Sequence, residues 1–212
     1  MYQAILEYLS RNWDKYVEAV NIHIGISLAA MTISILLAVP LGILCSKKGR
    51  LSLPVMNTFN MLRIIPSLAV LVLVMPILGT GFKPALLALT LLAIPPVLIN
   101  AYLGFKSISP AVIESACAMG MGAARILFTI EFPLALPLII TGIRTACIEV
   151  IASATLASYI GAGGLGDFIF TGLGLNDMRI LLIGGISVAV LSVCAELSLA
   201  LIYQGVTRYQ RN

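Results

Sequence analysis

Residues 24–46 read IGISLAAMTISILLAVPLGILCS, without a charged side chain from end to end. An α-helix needs about 20 consecutive, largely apolar residues to cross the hydrocarbon core of a bilayer. The stretch is therefore read as a membrane-spanning helix, and the same reading extends outward from it. Residues 64–82 and 84–105 are also free of charge. Two further apolar segments, about 132–157 and 179–205, carry Arg144, Glu149 and Glu196. The pattern predicts five spans, at about 22–46, 53–79, 84–104, 132–157 and 179–205, within one membrane domain over 22–207. Gly79-Thr80-Gly81 followed by Lys83 and Pro84 punctuates the second and third spans. The expected fold class is an all-α integral membrane protein.

Composition agrees. The 212 residues are 60% hydrophobic and 10% charged, and the mean hydropathy is +1.06. Soluble domains carry about 45–50% apolar and about 25% charged residues. The excess is too large to bury in one globule, which excludes a water-soluble enzyme, a disordered tail and a fibrous repeat. The net charge of +4 comes from 13 basic and 9 acidic residues. The densest basic cluster, Lys47-Lys48-Gly49-Arg50, suits the border of a membrane span better than nucleic acid. Cys45, Cys117, Cys147 and Cys194 form no CxxC and no metal-ligand spacing with His23, the single histidine. They read as free thiols, and no metal site and no catalytic residue is expected.

Residues 1–21 hold Glu7, Arg11, Asp14, Lys15 and Glu18, so they are not expected to be a cleavable signal. Tyr2, Ile5, Leu6, Leu9, Trp13, Tyr16, Val17 and Val20 recur at helical spacing. The segment is read as an amphipathic helix at the outer membrane surface, with a packing helix as the alternative. Lys47, Lys48, Arg50, Lys106, Arg125, Arg208 and Arg211 fall on one side of the spans, against Arg11, Lys15, Lys83 and Arg179 on the other. The positive-inside rule then puts the N-terminus outside, with the 106–131 segment and the 208–212 tail in the cytoplasm.

No GxxxxGK[ST] phosphate loop is present, so ATP is not bound by that route. A literal GxGxxG does occur, Gly161-Ala162-Gly163-Gly164-Leu165-Gly166. A dinucleotide site requires a strand before it and a βαβ setting, whereas this run follows a membrane span. It is read as a tight external turn in which glycine supplies positive φ and close approach. His23, beside the first span, reads as a packing residue rather than a ligand or relay.

The 106–131 segment contains two short helices by its punctuation. Ser109 is an N-cap and Pro110 a first helical residue. The first helix, Pro110 to Met119, stops at Gly120 in a left-handed C′ position. A second runs from Gly122 toward Phe132 and ends before Pro133. The first helix is small and apolar, with Glu114 its one charge. Exposed in water, it needs a groove to lie in, in a partner or in its own bundle.

Glu114-Ser115-Ala116, then Gly120, then Ile130-Glu131-Phe132-Pro133 resembles the EAA motif of ABC-importer permeases, with Ser115 in place of the motif's first alanine and Phe132 in place of its leucine. Arg63-Ile64-Ile65-Pro66-Ser67-Leu68-Ala69, Gly142-Ile143-Arg144-Thr145-Ala146 and Gly161–Gly166 are similar to permease subunits of glycine betaine/carnitine/choline importers. Methionine-importer permeases share the size, the EAA region and the glycine-rich run. The resemblance implies a five-span type I importer fold with a methionine-permease-like core. It implies a coupling helix carrying Glu114, Ser115, Ala116, Met119, Gly120, Arg125 and Pro133, seated in a separate ATPase dimer that holds ATP and Mg. It further implies no cofactor on this chain, a second permease copy or sister permease, an external substrate-binding (lipo)protein and a bacterial cell membrane. Cargo would be a quaternary-ammonium osmoprotectant, with a methionine-type or other small solute as the alternative.

Charges inside a bilayer are functional candidates by default. Arg63, Pro66, Ser67, Arg144 and Glu149 are the pathway candidates. Arg144 and Glu149 are five residues apart, roughly 140° around a helix, so each needs a partner elsewhere. Glu149 either faces a cavity and meets a cationic solute or pairs with a neighbouring arginine. A gradient-driven transporter with Glu149 and Glu196 as its relay is the rival. Against it stands the lack of an inverted repeat.

Overall fold

Lipid offers backbone groups no hydrogen-bonding partner, so spanning segments must satisfy their own. The computed structural model describes residues 2–211, and every regular element among them is helical. Met1 of the expected interfacial segment and Asn212 of the expected tail lie outside the described residues. The elements are α1 (Tyr2–Arg11), α2 (Trp13–Lys47), α3 (Gly49–Leu62), α4 (Ser67–Leu78), α5 (Phe82–Lys106), α6 (Pro110–Ala118), α7 (Ala123–Ile126), a π-helical turn (Leu127–Glu131), α8 (Phe132–Ala157), a 3₁₀ turn (Ser158–Ile160), α9 (Gly166–Leu175) and α10 (Met178–Arg211).

Among the described residues four helical stretches are long and apolar enough to cross a bilayer, and the bent pair α3–α4, taken as one, is a fifth. That pair occupies the span expected at about 53–79 and begins earlier, at Gly49. Its two halves meet at 94°. Pro66, at φ −57° and ψ 137°, has no N–H to continue a helix and pushes the residue before it out of the α region. Pro40, Pro54, Pro76, Pro95, Pro96 and Pro137 stay inside their helices.

The core is built on α5, which packs on both α2 and α8. Without a hydrophobic drive between helices in lipid, close approach depends on small residues. A Cβ on Gly42 of α2 would meet Ala101 Cβ at 2.8 Å, and one on Gly142 of α8 would meet the Pro96 carbonyl at 2.7 Å. Gly104 of α5 lies as tightly on Ala135, 2.9 Å from its carbonyl by the same measure. Ser34 crosses between helices, its hydroxyl donating to the Thr90 carbonyl at 3.0 Å.

Two expectations are corrected. The 1–21 segment does not end as a separate helix at residue 21. It divides at Asn12, and α2 then runs unbroken from Trp13, because no glycine or proline interrupts residues 13–24. Ile5, Tyr8 and Leu9 of α1 pack with Val188 and Leu191 of α10 around the Ala19, Phe168 and Ile183 cluster, which favours the packing alternative. The second helix of the 106–131 segment does not stop before Pro133. It continues through the π turn into α8, with Pro133 in the first turn of α8. A proline there needs no N–H partner, and π turns accommodate such local mismatches. The sequence reading placed no helix between the Gly161–Gly166 turn and the last span, and α9 forms there. A Cβ on Gly184 of α10 would lie 2.8 Å from Ile169 of α9.

Candidate functional site

At one end of the bundle α6 protrudes. Ser109 is extended, at φ −61° and ψ 130°, and Pro110 opens the helix, although the Ser109 side chain makes no capping bond. The far end closes as a Schellman turn. Gly120 N–H donates to the Cys117 carbonyl at 2.9 Å and Met121 N–H to the Ala116 carbonyl at 3.2 Å. Gly120 sits at φ +78°, and nothing lies within 4 Å of where its Cβ would be. Glycine is required here by the backbone, not by space.

Within α6, Ala116 is the buried residue, whereas Ala111, Val112, Glu114, Ser115, Cys117 and Ala118 are exposed. Met119, just past its end, is 72% exposed. The apolar surface of a helix otherwise wrapped in its own bundle would be covered. Arg125 of α7 is exposed beside it. The base of the segment is tied to the bundle by Lys47 of α2, whose Nζ donates to Glu131 Oε2 at 2.9 Å. That pair was missed in the sequence. Lys47 and Glu131 are 84 positions apart, and only the fold joins them.

The intramembrane charges resolve into two pairs. Arg63 in the α3–α4 break reaches Glu149 of α8, with Nη2 3.5 Å from Oε1. Arg144 of α8 pairs with Glu196 of α10 through both Nε and Nη2. Its guanidinium also lies 5.6 Å from the Tyr203 ring centroid, a cation–π distance. Arg144 and Glu149 each find a partner on another element, and Glu149 takes the arginine of its second alternative while also lining a cavity. It pairs with an arginine and it faces a cavity of about 360 Å³, shared with Arg63, Pro66, Ser67, Leu92 and Ser153. Arg63, Pro66, Ser67 and Glu149 are thus one site, and Arg144 belongs to another.

At the opposite end the Gly161–Gly166 run follows a helix, not a strand. Gly161, Gly163 and Gly164 have φ of 78°, 76° and 102°, while Gly166 is packed on Thr155 and Ser158. The Ser158 hydroxyl donates to the Gly163 carbonyl at 2.9 Å, and Gly81 N–H donates to the Ile160 carbonyl at 2.8 Å. His23 is buried beneath this turn, with Nε2 3.0 Å from the Ile151 carbonyl, as a packing residue would be. Beyond α9, Arg179 donates to both oxygens of Asp177 and holds that carboxyl down at about 2.

A five-span helical bundle with one exposed stub helix and a broken second span is the architecture of an importer permease. Residues 38–208 match the family of binding-protein-dependent transport system inner membrane components. The chain belongs to that family, the permeases of ABC importers. It is 39% identical over 196 residues to the carnitine transport permease protein OpuCB of Listeria monocytogenes, covering 92% of this chain and 90% of the relative. It is 36% identical over 203 residues to the glycine betaine/carnitine/choline transport system permease protein OpuCB of Bacillus subtilis, covering 96% and 94%. The fold matches a solved inward-facing conformation of the MetNI methionine ABC transporter, with a TM-score of 0.79 at 20% identity, covering 91% of this chain and 96% of that one.

Proposed function

We propose that this permease carries quaternary-ammonium osmoprotectants inward, driven by an ATPase that seats α6. The observation that carries the coupling reading is α6 itself, a nine-residue apolar helix with one buried side chain, closed by a glycine turn and projecting from the bundle. Relatives that transport carnitine, choline and glycine betaine support the cargo class.

In this reading the N-terminus lies outside and α6 is cytoplasmic. Small residues let α6 enter a cleft of the ATPase, Glu114 supplies a charged contact, and Gly120 turns the chain back toward the membrane. ATP and Mg are held by the ATPase dimer. Its closure moves α6, and the α7–α8 rod passes that movement past Pro133 into the fourth span. The Lys47–Glu131 bond carries it to α2. One chain has too few spans to enclose a path, so a second permease copy or a sister permease completes it. An external binding (lipo)protein delivers solute at the Gly161–Gly166 end of a bacterial cell membrane.

The test is uptake of glycine betaine into proteoliposomes. Uptake requires the ATPase, ATP and binding protein together. Uptake by the purified chain alone would overturn the reading.

A further inference from the structure

We propose that Arg63 and Glu149 are the two charge partners of the solute within the path, and that their pairing selects dipolar quaternary-ammonium solutes over simple cations. This rests on the cargo reading above and deepens it.

The geometry separates this pair from the other intramembrane pair. Arg144 and Glu196 join two continuous helices through two donors. Arg63 stands in the break of the second span, where α3 and α4 turn through 94°, and touches Glu149 through one nitrogen at 3.5 Å. Both side chains remain open to the cavity, at 45% and 35% exposure. That cavity, at about 360 Å³, lies at the small end of the range for ligand sites. Its wall combines the two charges with the hydroxyls of Ser67 and Ser153 and the apolar Leu92 and Ala152.

Charge compensation supplies the selectivity. An unpaired charge inside a membrane is costly, and breaking a pair by removing one partner leaves the other uncompensated. Glycine betaine carries both signs. Its trimethylammonium can replace Arg63 beside Glu149 while its carboxylate takes the guanidinium, whose planar N–H groups suit a carboxylate fork. Every charge then keeps a partner throughout the exchange. A quaternary nitrogen donates no hydrogen bond, so its contact with Glu149 is coulombic, and its methyl groups fit the Leu92 and Ala152 wall. Choline carries the cation alone. It can take Glu149 only by stranding Arg63, so it passes less readily than the zwitterion.

The experiment is uptake of glycine betaine and of choline by the complete transporter in proteoliposomes, at saturating binding protein, for the wild type, Arg63→Gln, Glu149→Gln and the charge swap Arg63→Glu/Glu149→Arg. Size-exclusion profiles and nucleotide hydrolysis serve as controls for assembly. Arg63→Gln lowers betaine uptake far more than choline uptake and shifts their ratio at least tenfold. Glu149→Gln lowers both. The charge swap keeps an ion pair, so it assembles normally, yet it does not restore the wild-type ratio. Parallel losses of both solutes in Arg63→Gln, or a wild-type ratio in the swap, would overturn the proposal and leave the cargo reading standing. Wild-type uptake of neither solute would overturn both.

Discussion

The Gly120 turn and the Gly161–Gly166 turn end helices with the same device, a glycine at positive φ, in opposite surroundings. Around Gly120 there is open space for 4 Å. Gly161 is as open as Gly120, but the rest of the Gly161–Gly166 turn is pressed from several sides, by His23 under Gly164, Ile22 beside Gly163, and Thr155 and Ser158 against Gly166. One end of the bundle is finished by its own packing. The other is finished on the chain's own terms only as far as the backbone, and its side chains face outward. A closed end is built for stability and an open end for a partner, so substitutions at the two should separate folding from transport.

Gly166→Val tests the closed end and carries the largest expected effect. Its side chain has no room against Thr155 and Ser158, and overpacking of this kind costs about 3 kcal/mol or more. Loss of monodisperse protein in detergent is expected. A well-folded variant would show that this end is not closed by packing.

Gly120→Val tests the open end. Forcing an L-residue into the left-handed region costs about 1–2 kcal/mol locally, with no collision. Expression and thermal unfolding stay near wild type, while ATP-driven uptake falls at least tenfold. Gly120→Asn, which tolerates this region better, retains more uptake. Equal uptake in Gly120→Val and wild type would break the distinction.

Lys47→Ala removes the tie at the base of the open end. The pair is half-exposed on the lysine side, so its worth is roughly 0.2–1 kcal/mol, or about 1–3 °C of Tm for a chain of this size. The more telling readout is ATP hydrolysed per solute carried, which rises if the bond transmits movement to α2.

The smallest effect belongs to Asp177 at the closed end. Arg179 lowers its folded pKa from 3.8 to about 2. A lowered carboxyl pKa favours the fold wherever the group is ionised, above 3.8, and that contribution disappears as pH falls toward 2. Asp177→Asn removes that contribution, so it lowers stability slightly and uniformly above pH 4 and flattens the acid limb below pH 4 in an unfolding series. An altered slope near neutral pH would contradict this.

The five spans were legible because uncharged runs such as 24–46 record the solvent directly. The α6 segment was legible because Pro110 and Gly120 act through the backbone, and backbone rules are local. What the sequence hid depends on contacts distant along the chain. Nothing near Asn12 marks it as a break, since the reason lies in the packing of Ile5 and Leu9 against α10. Pro66 was visible, but six other prolines lie inside helices, so the break could not be assigned to it. The pairing of Arg63 with Glu149 rather than Arg144 depends on how α3–α4 meets α8. The π turn before Pro133 replaced an expected helix end because the chain continues directly into a span.

The most direct test of the open end uses its own thiol. Cys117 is exposed on α6, whereas Cys45 is buried and Cys147 half-buried. With Cys45, Cys147 and Cys194 replaced by alanine, a membrane-impermeant maleimide should label Cys117 in inside-out vesicles, and the ATPase should block that labelling when added. Labelling from the outer face, or labelling unaffected by the bound ATPase, would contradict the placement of α6 as the helix that receives the motor.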